Sequence, residues 1–385
     1  MRQLVLVESG LTGNAATNVF NDAAAVIALN PASLHALERA GIAAEAIDRY
    51  TAYGRLDADG EAAYGRMHEA MQAIDTVLAP LLPAPLTGQP VASWLGIEMK
   101  VLLDSLRAKA QQLRGAVAAY APQEVVLVTP SWPPDPLCGY RQYRALLEWY
   151  AAQQGYALQL IATGTVNAAA ARKPPQRHCL TRLKQAWQRF SFPGGTGGRD
   201  TLLFADTDYC LGPLYRHLHA QRRDLALACW PATDGSGAGL APAVVQTAER
   251  LWLAHCGFGG PEAELLAPAF AALLRKEIPR LARARHRWLL LRRRTRLRAV
   301  LASHGLCVHA EINALANWAH DAGLPFIVYQ HGGLGCSYNP HLLHEVTAVN
   351  SHLLTYGDGA TRYAEGNRRG TACVLSVGNN RMPAA

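Results

Sequence analysis

Residues 324–333 read Leu-Pro-Phe-Ile-Val-Tyr-Gln-His-Gly-Gly. A short apolar run here stops abruptly in a polar turn with two glycines, which is typical of a strand that ends at the edge of a sheet. In open α/β sheets, ligands bind beyond the carboxyl ends of the strands. The stretch therefore predicts an α/β fold with a ligand site where this strand ends, at His331, Gly332 and Gly333.

Strands and helices alternate on both sides of this stretch. Short apolar runs predict further strands, and apolar residues at helical spacing predict helices between them. The predicted strands cover 3–7, 25–29, 124–129, 157–162, 201–205, 225–230, 299–303, 352–356 and 373–377. Because strands that alternate with helices build parallel sheets, the sequence predicts two Rossmann-like α/β domains.

The composition changes between the two halves of the chain. Residues 172–199 begin with Arg-Lys-Pro-Pro and end with Gly-Gly-Thr-Gly-Gly-Arg, and they follow neither the helical nor the strand period. Proline and glycine clusters of this kind mark domain boundaries. We predict an N-terminal domain at 1–171, a linker at 172–199 and a second domain at 200–385 that carries the Gln-His-Gly-Gly motif.

The overall composition is that of a globular protein. Half of the 385 residues are apolar and 17% are charged, which suits a chain of more than one domain. No apolar run reaches the roughly 18 residues that span a bilayer, and the N-terminus lacks the layout of a signal peptide. Eight scattered cysteines without a Cys-x-x-Cys pair argue against a disulfide framework and structural zinc. We expect a cytoplasmic protein.

The net charge of +8 is concentrated in one segment. Arg275 to Arg298 holds eleven Lys and Arg residues against one acid, Glu277, and it is interrupted by Trp288 and three leucines. This mixture favours an amphipathic basic helix over a disordered tail. Such a helix is suited to peripheral contact with the inner membrane or to a polyanionic substrate, whereas the alternative is a solvated face. No nucleic-acid-binding motif accompanies the charge, so nucleic acid is not expected.

Several polar residues of the second domain flank the ends of its predicted strands. His309, Glu311 and Asn313 lie at the start of a helix, where free N–H groups and the helix dipole favour an anion. Gly332 and Gly333, after His331, let a bulky ligand approach the backbone closely, and Tyr356 and Gly357 end the next strand. These strand ends predict the binding of a phosphate-bearing ligand.

The candidate catalytic residues also have structural explanations. Asp206 follows the first strand of the second domain and suits a base or nucleophile, but a helix N-cap explains it equally well. Glu345 follows the polar loop after His331 and is either a solvated cap or a carboxylate that faces the ligand. Ser9 and Asn14, in the turn after the first strand, are likewise either caps or binding residues.

A metal site is not predicted. His341 and His344 lie near His331, but their spacing matches no familiar ligand pattern and no carboxylate pair accompanies them. The sequence therefore predicts no metal ion and no other cofactor.

The region from Ala299 to Gly378 resembles a known family. It runs from a strand and a helix through Gly-Leu-Pro-Phe-Ile-Val-Tyr-Gln-His-Gly-Gly to a polar loop with Glu345, and then to Leu-Leu-Thr-Tyr-Gly and Val-Leu-Ser-Val-Gly. This order resembles bacterial glycosyltransferases of the two-Rossmann (GT-B) type. The resemblance is nearest to Kdo-transferase-like enzymes of surface carbohydrate, capsule and lipopolysaccharide assembly.

The resemblance implies a function and a site. A nucleotide-sugar donor and a glycan or lipid-linked acceptor would meet in a cleft that the parallel sheets of both domains face. His331 and its glycines would lie at this cleft, Tyr356 and Gly357 on its floor, and Glu345 in its wall. Positive groups or helix N-termini would stabilise the departing nucleotide phosphate, and a carboxylate or histidine would activate the acceptor hydroxyl.

The chain departs from the family at its end. In many members the Gln-His-Gly strand belongs to the first domain, and a motif like Val377-Gly378 leads into a nucleotide-binding domain, but here the sequence ends at Ala385. Either the two predicted domains form the cleft, or a donor-binding domain is absent from this chain. Two alternatives stay open: a sugar-nucleotide epimerase or hydrolase of the same architecture, and a non-catalytic glycan-binding subunit of a polysaccharide assembly complex.

Overall fold

The structure is a computed structural model that describes residues 2–8, 17–21, 23–130, 142–163, 199–205, 211–231, 240–303, 309–330, 351–367 and 370–378. The N-terminal elements are β1 (Gln3–Val7), α1 (Thr17–Asn21), β2 (Ala23–Ala28), α2 (Pro31–Arg39), β3 (Glu45–Ala46), α3 (Tyr53–Leu78), α4 (Val91–Trp94), α5 (Gly96–Tyr120), β4 (Glu124–Thr129), α6 (Gln142–Gln154) and β5 (Ala157–Ala162). Short 3-10 helices at Ile47–Tyr50 and Ala79–Leu81 connect β3 to α3 and extend α3.

The later elements continue the same alternation. They are β6 (Asp200–Phe204), α7 (Leu211–Gln221), β7 (Leu225–Cys229), α8 (Pro242–His255), α9 (Pro261–Arg294), β8 (Arg296–Ser303), α10 (Ala310–Asp321), β9 (Phe326–Tyr329), β10 (His352–Thr355), α11 (Asp358–Asn367) and β11 (Cys373–Ser376). The strands predicted from apolar runs are confirmed, with bounds that shift by at most a few residues.

The strands form two parallel sheets. The first has five strands in the order β3-β2-β1-β4-β5, and the second has six in the order β11-β10-β9-β8-β6-β7. The first matches the first five positions of the dinucleotide-binding order 3-2-1-4-5-6, and the second begins like the flavodoxin-like order, with its first strand between its second and third. The predicted α/β fold with parallel sheets is confirmed. The stretch at 324–333 supplies β9, an internal strand between β8 and β10.

The core explains why these strands have unbroken apolar sequences. Leu4 to Val7 of β1 are completely buried, as are Val125 to Val128 of β4. A parallel strand inside a doubly wound sheet is covered by helices on both faces, so every side chain along it is apolar rather than every second one. The buried residues of β1, β2 and β4 pack with Leu37 of α2 into one cluster.

The described chain divides into two compact units, and each unit is built from three segments. The first unit comprises residues 1–66, 100–176 and 252–272, and the second comprises 67–99, 177–251 and 273–385. The first sheet belongs to the first unit and the second sheet to the second unit. The predicted boundary at 172–199 lies, as far as residue 198, outside the described residues and stays a prediction.

The basic segment is mostly helical, as predicted, and forms the second half of α9. Its apolar side chains recur at helical spacing and are buried in the second unit, with Leu281, Ala284, Trp288 and Leu291 at most 1% exposed. The ring of Trp288 packs on Trp318 of α10, with 6.4 Å between the ring centroids. The apolar stripe of this helix is therefore part of the protein core.

Among the described residues, no helix is both long enough and apolar enough to cross a membrane.

Candidate functional site

The strand orders indicate where a ligand would bind in each sheet. In the first sheet the connections reverse direction between β1 and β4, and in the second they reverse between β6 and β8. Ligands of open α/β sheets occupy the crevice beyond the carboxyl ends of the strands at such a reversal. Each sheet therefore has one strand edge where functional side chains are expected.

At the reversal of the first sheet, a buried carboxylate follows β1. The Thr129 hydroxyl, at the end of β4, donates a 2.6 Å hydrogen bond to Oε2 of Glu8, which is 8% exposed. Lys109 of α5 is half-buried, and desolvation lowers the pKa of its ammonium while the negative charge of Glu8 opposes that shift. Its Nζ donates to Ser105 and lies 3.5 Å from Oε1 of Gln142. The first sheet thus has one carboxylate and one ammonium group near the point where its strand connections reverse direction.

In the second sheet, hydrogen bonds join neighbouring strand ends. Gln330, which follows β9, is 2% exposed, and its Oε1 accepts a 2.9 Å hydrogen bond from the backbone N–H of Tyr356. The Tyr356 ring packs on Tyr329 with 5.6 Å between centroids, and the Tyr329 hydroxyl donates to the carbonyl of Gly378. Gly357 closes β10, and its carbonyl accepts from Thr361 of α11. The ends of β9 and β10 and the residues after β11 are thereby held together.

The start of α10 lies beside this edge and is capped by a carboxylate from elsewhere in the chain. His309 is the exposed N-cap residue, and its side chain makes no capping hydrogen bond. The first helical N–H, that of Ala310, donates a 2.9 Å hydrogen bond to Oε1 of Glu98, which is 212 positions away in the sequence. A carboxyl group of the protein thus binds the first N–H of this helix, where the sequence predicts an anion.

Glu311, the next residue of α10, is held by two donors. Its Oε1 accepts a 2.6 Å hydrogen bond from Nε1 of Trp230, and its Oε2 accepts a 2.8 Å hydrogen bond from Nε of Arg280. The same guanidinium contacts Glu277 at 3.3 Å, and Lys276 lies 3.1 Å from the other Glu277 oxygen. The carboxylates of Glu277 and Glu311 are each only 4% exposed and share Arg280.

Glu98 is the carboxyl group of this cluster that lacks a cation in direct contact. Its Oε2 is buried and has no hydrogen-bond partner among the described residues. Burial and the nearby charge of Glu277 raise its pKa to about 7, although the Ala310 N–H and Lys276 act in the opposite direction. A carboxyl group with this pKa exchanges a proton at neutral pH, as general acids and bases do.

His309 and Asn313 have different environments. Although His309 is largely exposed, partial desolvation of its imidazole and the neighbouring Arg280 lower the pKa of the ring, which favours its neutral form at pH 7. The Asn313 side chain donates a 3.1 Å hydrogen bond to the carbonyl of Trp94. Glu311 and Asn313 therefore have protein partners, and their predicted roles in substrate binding stay predictions.

Most of the other predicted site residues lie outside the described part of the chain. These are His331, Asp206, Glu345, Gly332, Gly333, Ser9 and Asn14. Their roles stay predictions. Glu8, Ala205 and Gln330 directly precede Ser9, Asp206 and His331, and each is the first residue after a strand.

The sequence analysis did not identify four residues that surround Glu311 and the start of α10: Glu98, Trp230, Glu277 and Arg280. Glu98 carries one usable signal, because it is the lone acid in the apolar run from Trp94 to Met99. A carboxylate in such surroundings is expected only where the fold supplies a partner or a proton. Glu277 is likewise the one acid of the basic segment.

A polar groove of about 480 Å³ lies in the first unit, between α3, α5 and the start of α9. Its polar lining consists of Tyr50, Asp59, Arg107, Gln111, Arg114 and Glu262. The Tyr50 hydroxyl donates a 2.6 Å hydrogen bond to Glu45, which fixes the ring, and Arg107 lies 3.8 Å from Asp59. Two guanidinium groups thus face two carboxylates, so the lining is polar but has no net charge.

Among the described residues, no group of three or more His, Cys, Asp or Glu side chains is arranged to hold a metal ion.

Comparisons of the chain with protein-family models, with curated proteins and with solved structures found no match.

Proposed function

We propose that the chain is a glycosyltransferase of the GT-B type, which moves a sugar from a nucleotide-activated donor to a glycan or lipid-linked acceptor. The observation that carries the proposal is the position of the 324–333 stretch. It supplies an internal strand of a parallel sheet whose order is that of nucleotide-binding folds, and His331, Gly332 and Gly333 follow that strand directly.

In this proposal the donor binds beyond the carboxyl ends of β6, β8, β9 and β10, which include the reversal of the second sheet. Gly332, Gly333 and Gly357 allow the diphosphate to approach the backbone, and Tyr356 packs against the donor. His331, Asp206 and Glu345 supply the proton transfer and the electrostatic stabilisation that sugar transfer requires. Nothing in this scheme needs a cofactor beyond the nucleotide sugar.

The groove of the first unit suits the acceptor. Sugar hydroxyls both donate and accept hydrogen bonds, and carboxylate, amide and guanidinium groups match them in pairs. Because Arg107 and Arg114 are balanced by Asp59 and Glu262, the groove favours a neutral saccharide over a phosphate. We expect Arg107→Ala to raise the KM for acceptor more than it lowers kcat, while Arg144→Ala on the exposed face of α6 changes neither.

The experiment that tests the function begins with binding. A panel of nucleotides and nucleotide sugars is screened by thermal shift, because a ligand that binds only the folded chain raises its melting temperature. Any hit is then incubated with candidate glycan acceptors, and nucleotide release is measured with and without acceptor. Transfer predicts release that depends on acceptor and is lost in His331→Ala but kept in His35→Ala, a change at an exposed histidine of α2.

Other outcomes separate the alternatives. Acceptor-independent turnover would identify an epimerase or hydrolase of the same architecture. Glycan binding without turnover would identify a non-catalytic subunit of a polysaccharide assembly complex. The absence of stabilisation by every nucleotide and nucleotide sugar would remove the donor-binding proposal.

A further inference from the structure

The amino-terminal edge of the second sheet carries a dense group of exposed arginines, which we call the arginine edge. Five of them lie where α9 passes into β8: Arg292, Arg293, Arg294, Arg296 and Arg298. Three more, Arg199, Arg222 and Arg223, precede the neighbouring strands β6 and β7. Because β8, β6 and β7 are adjacent and parallel, their starting ends lie within about 10 Å of one another across the sheet.

Acidic residues compensate only part of this charge. Asp200 at the start of β6 forms ion pairs with Arg298, at 3.0 Å, and with Arg296, at 3.5 Å. Asp224 before β7 binds Arg222 through two hydrogen bonds of 2.9 and 2.8 Å. The other exposed arginines of the edge, Arg199, Arg223, Arg292, Arg293 and Arg294, form no ion pair with a described residue. The arginine edge is therefore a surface of high positive charge.

The arginine edge is far from the ligand edge of the same sheet. β8 has eight residues, with Arg296 at its start and Ser303 at its end. A strand of that length separates its ends by about 23 Å, and in a parallel sheet every neighbouring strand points the same way. A donor bound beyond the carboxyl ends does not reach these arginines. A ligand of these arginines would therefore be distinct from the donor.

Two exposed leucines lie next to the arginines. Leu289 and Leu290 precede Arg292 by less than one helical turn and are 36% and 44% exposed. The neighbouring apolar residues Trp288 and Leu291 are buried, so the two leucines are not part of the core stripe of α9. Exposed leucines beside a cluster of arginines are suited to a surface with anionic headgroups above an apolar layer. Nucleic acid offers the phosphates but no apolar layer.

We propose that the arginine edge, with Leu289 and Leu290, docks the chain on an anionic lipid bilayer. The arginines bind the headgroups, and the leucines enter the boundary between headgroups and acyl chains. This contact is peripheral and reversible. It is independent of sugar transfer, since none of its residues belongs to the proposed donor or acceptor sites.

The test is co-sedimentation of the whole chain with lipid vesicles. Vesicles of phosphatidylcholine with about one third phosphatidylglycerol should bind the protein, and pure phosphatidylcholine vesicles should not. Charge reversal in Arg293→Glu/Arg294→Glu should lower the partition coefficient by about tenfold or more. Raising the salt from about 0.1 M to about 0.5 M should weaken binding of the unaltered chain, because exposed charges are then screened. Leu289→Ser/Leu290→Ser should lower binding at both salt concentrations.

The matched control is Arg39→Glu/Arg216→Glu, which changes the net charge equally at exposed arginines of α2 and α7. This variant should bind vesicles like the unaltered chain, and circular dichroism should show that all variants are folded. Equal losses in both charge-reversal variants would overturn the proposal, because net charge rather than the arginine edge would then govern binding. Equal binding to both kinds of vesicle, or binding to a short DNA duplex without binding to anionic vesicles, would also overturn it.

Discussion

The two sheets neutralise buried charge at their strand ends in different ways. In the first sheet, Glu8 accepts the Thr129 hydroxyl and lies near Lys109, so one acid is set against one base. In the second, Glu277 and Glu311 share Arg280, while no cation of the described residues contacts Glu98 directly. The first arrangement holds fixed charges. The second leaves the Glu98 carboxyl group able to gain and lose a proton near neutral pH, which makes the cluster at the second sheet the better candidate for acid–base chemistry.

The largest effect is expected from removing the cation that two carboxylates share. Arg280→Ala removes the cation that Glu277 and Glu311 share, although Lys276 still contacts Glu277 and Trp230 still donates to Glu311. Removing one partner of a buried ion pair costs up to about 3 to 5 kcal/mol. Urea unfolding followed by tryptophan fluorescence measures this loss, since Trp230, Trp288 and Trp318 belong to the second unit. Arg293→Ala, an exposed position of the same helix, should change the stability by less than about 0.5 kcal/mol. A similar loss in both variants would show that Arg280 has no special role.

The next effect is a dependence on pH that belongs to Glu98. The pKa of Glu98 is about 7 in the folded chain and lies at its ordinary value near 4.5 in the unfolded chain. Between these pH values the folded chain keeps a proton that the unfolded chain has released, so stability falls as pH rises from 4.5 to 7. Glu98→Gln cannot ionise and should remove up to about 3 kcal/mol of this fall.

Urea unfolding at pH 5 and at pH 8 measures the contribution of Glu98. The variant should gain stability relative to the unaltered chain at pH 8 but not at pH 5. Glu69→Gln is the control, since Glu69 is an exposed carboxylate of α3. An unchanged difference between pH 5 and pH 8 in Glu98→Gln would contradict the assignment.

A smaller loss is expected from Trp230→Phe. The change keeps an aromatic ring but removes the Nε1–H donor to Glu311, and a hydrogen bond to a charged group contributes about 1.5 to 3 kcal/mol. The free energy of unfolding, followed by far-ultraviolet circular dichroism, should fall by this amount. The double variant Trp230→Phe/Glu311→Ala should lose less than the sum of the single changes, because both remove the same contact. Strict additivity would mean that the contact contributes nothing.

The smallest of these effects should come from the first sheet. Thr129→Val removes the hydroxyl that donates to Glu8 and keeps the side-chain shape, at a cost of about 1 kcal/mol, since the nearby Lys109 still compensates the carboxylate. The free energy of unfolding of the whole chain in urea measures the change. Thr76→Val, which removes an exposed hydroxyl on α3, is the control. If Thr129→Val costs more than Trp230→Phe, the proposed difference between the two sheets is wrong.

The sequence predicted the sheets better than it predicted the cluster at their edge. The strands were visible because residues such as Leu4 to Val7 and Phe326 to Tyr329 form unbroken apolar runs, which is the mark of strands covered on both faces. The side chains at the start of α10 were predicted in part, since His309, Glu311 and Asn313 follow a strand in the sequence. The strand orders themselves came only from the structure.

The partners of those residues were not predictable in the same way. Glu98 reaches Ala310 across 212 positions, Trp230 reaches Glu311 across 81, and no local pattern records such a pairing. The division of the chain into two units could not be predicted for the same reason. Segment 67–99 joins the second unit through contacts such as the edge-to-face packing of Trp94 on Trp318, which depend on tertiary folding rather than on periodicity.

The interleaving of the two units also sets an order for their folding during synthesis. The first unit needs residues 252–272, and the second needs residues 67–99 together with a sheet whose strands extend to 376. Segment 67–99 therefore leaves the ribosome long before the sheet it will join, and it carries Trp94 and Glu98 without their partners. Contacts this distant in sequence close slowly, so the nascent chain is expected to need protection of this segment until its last strands have been made.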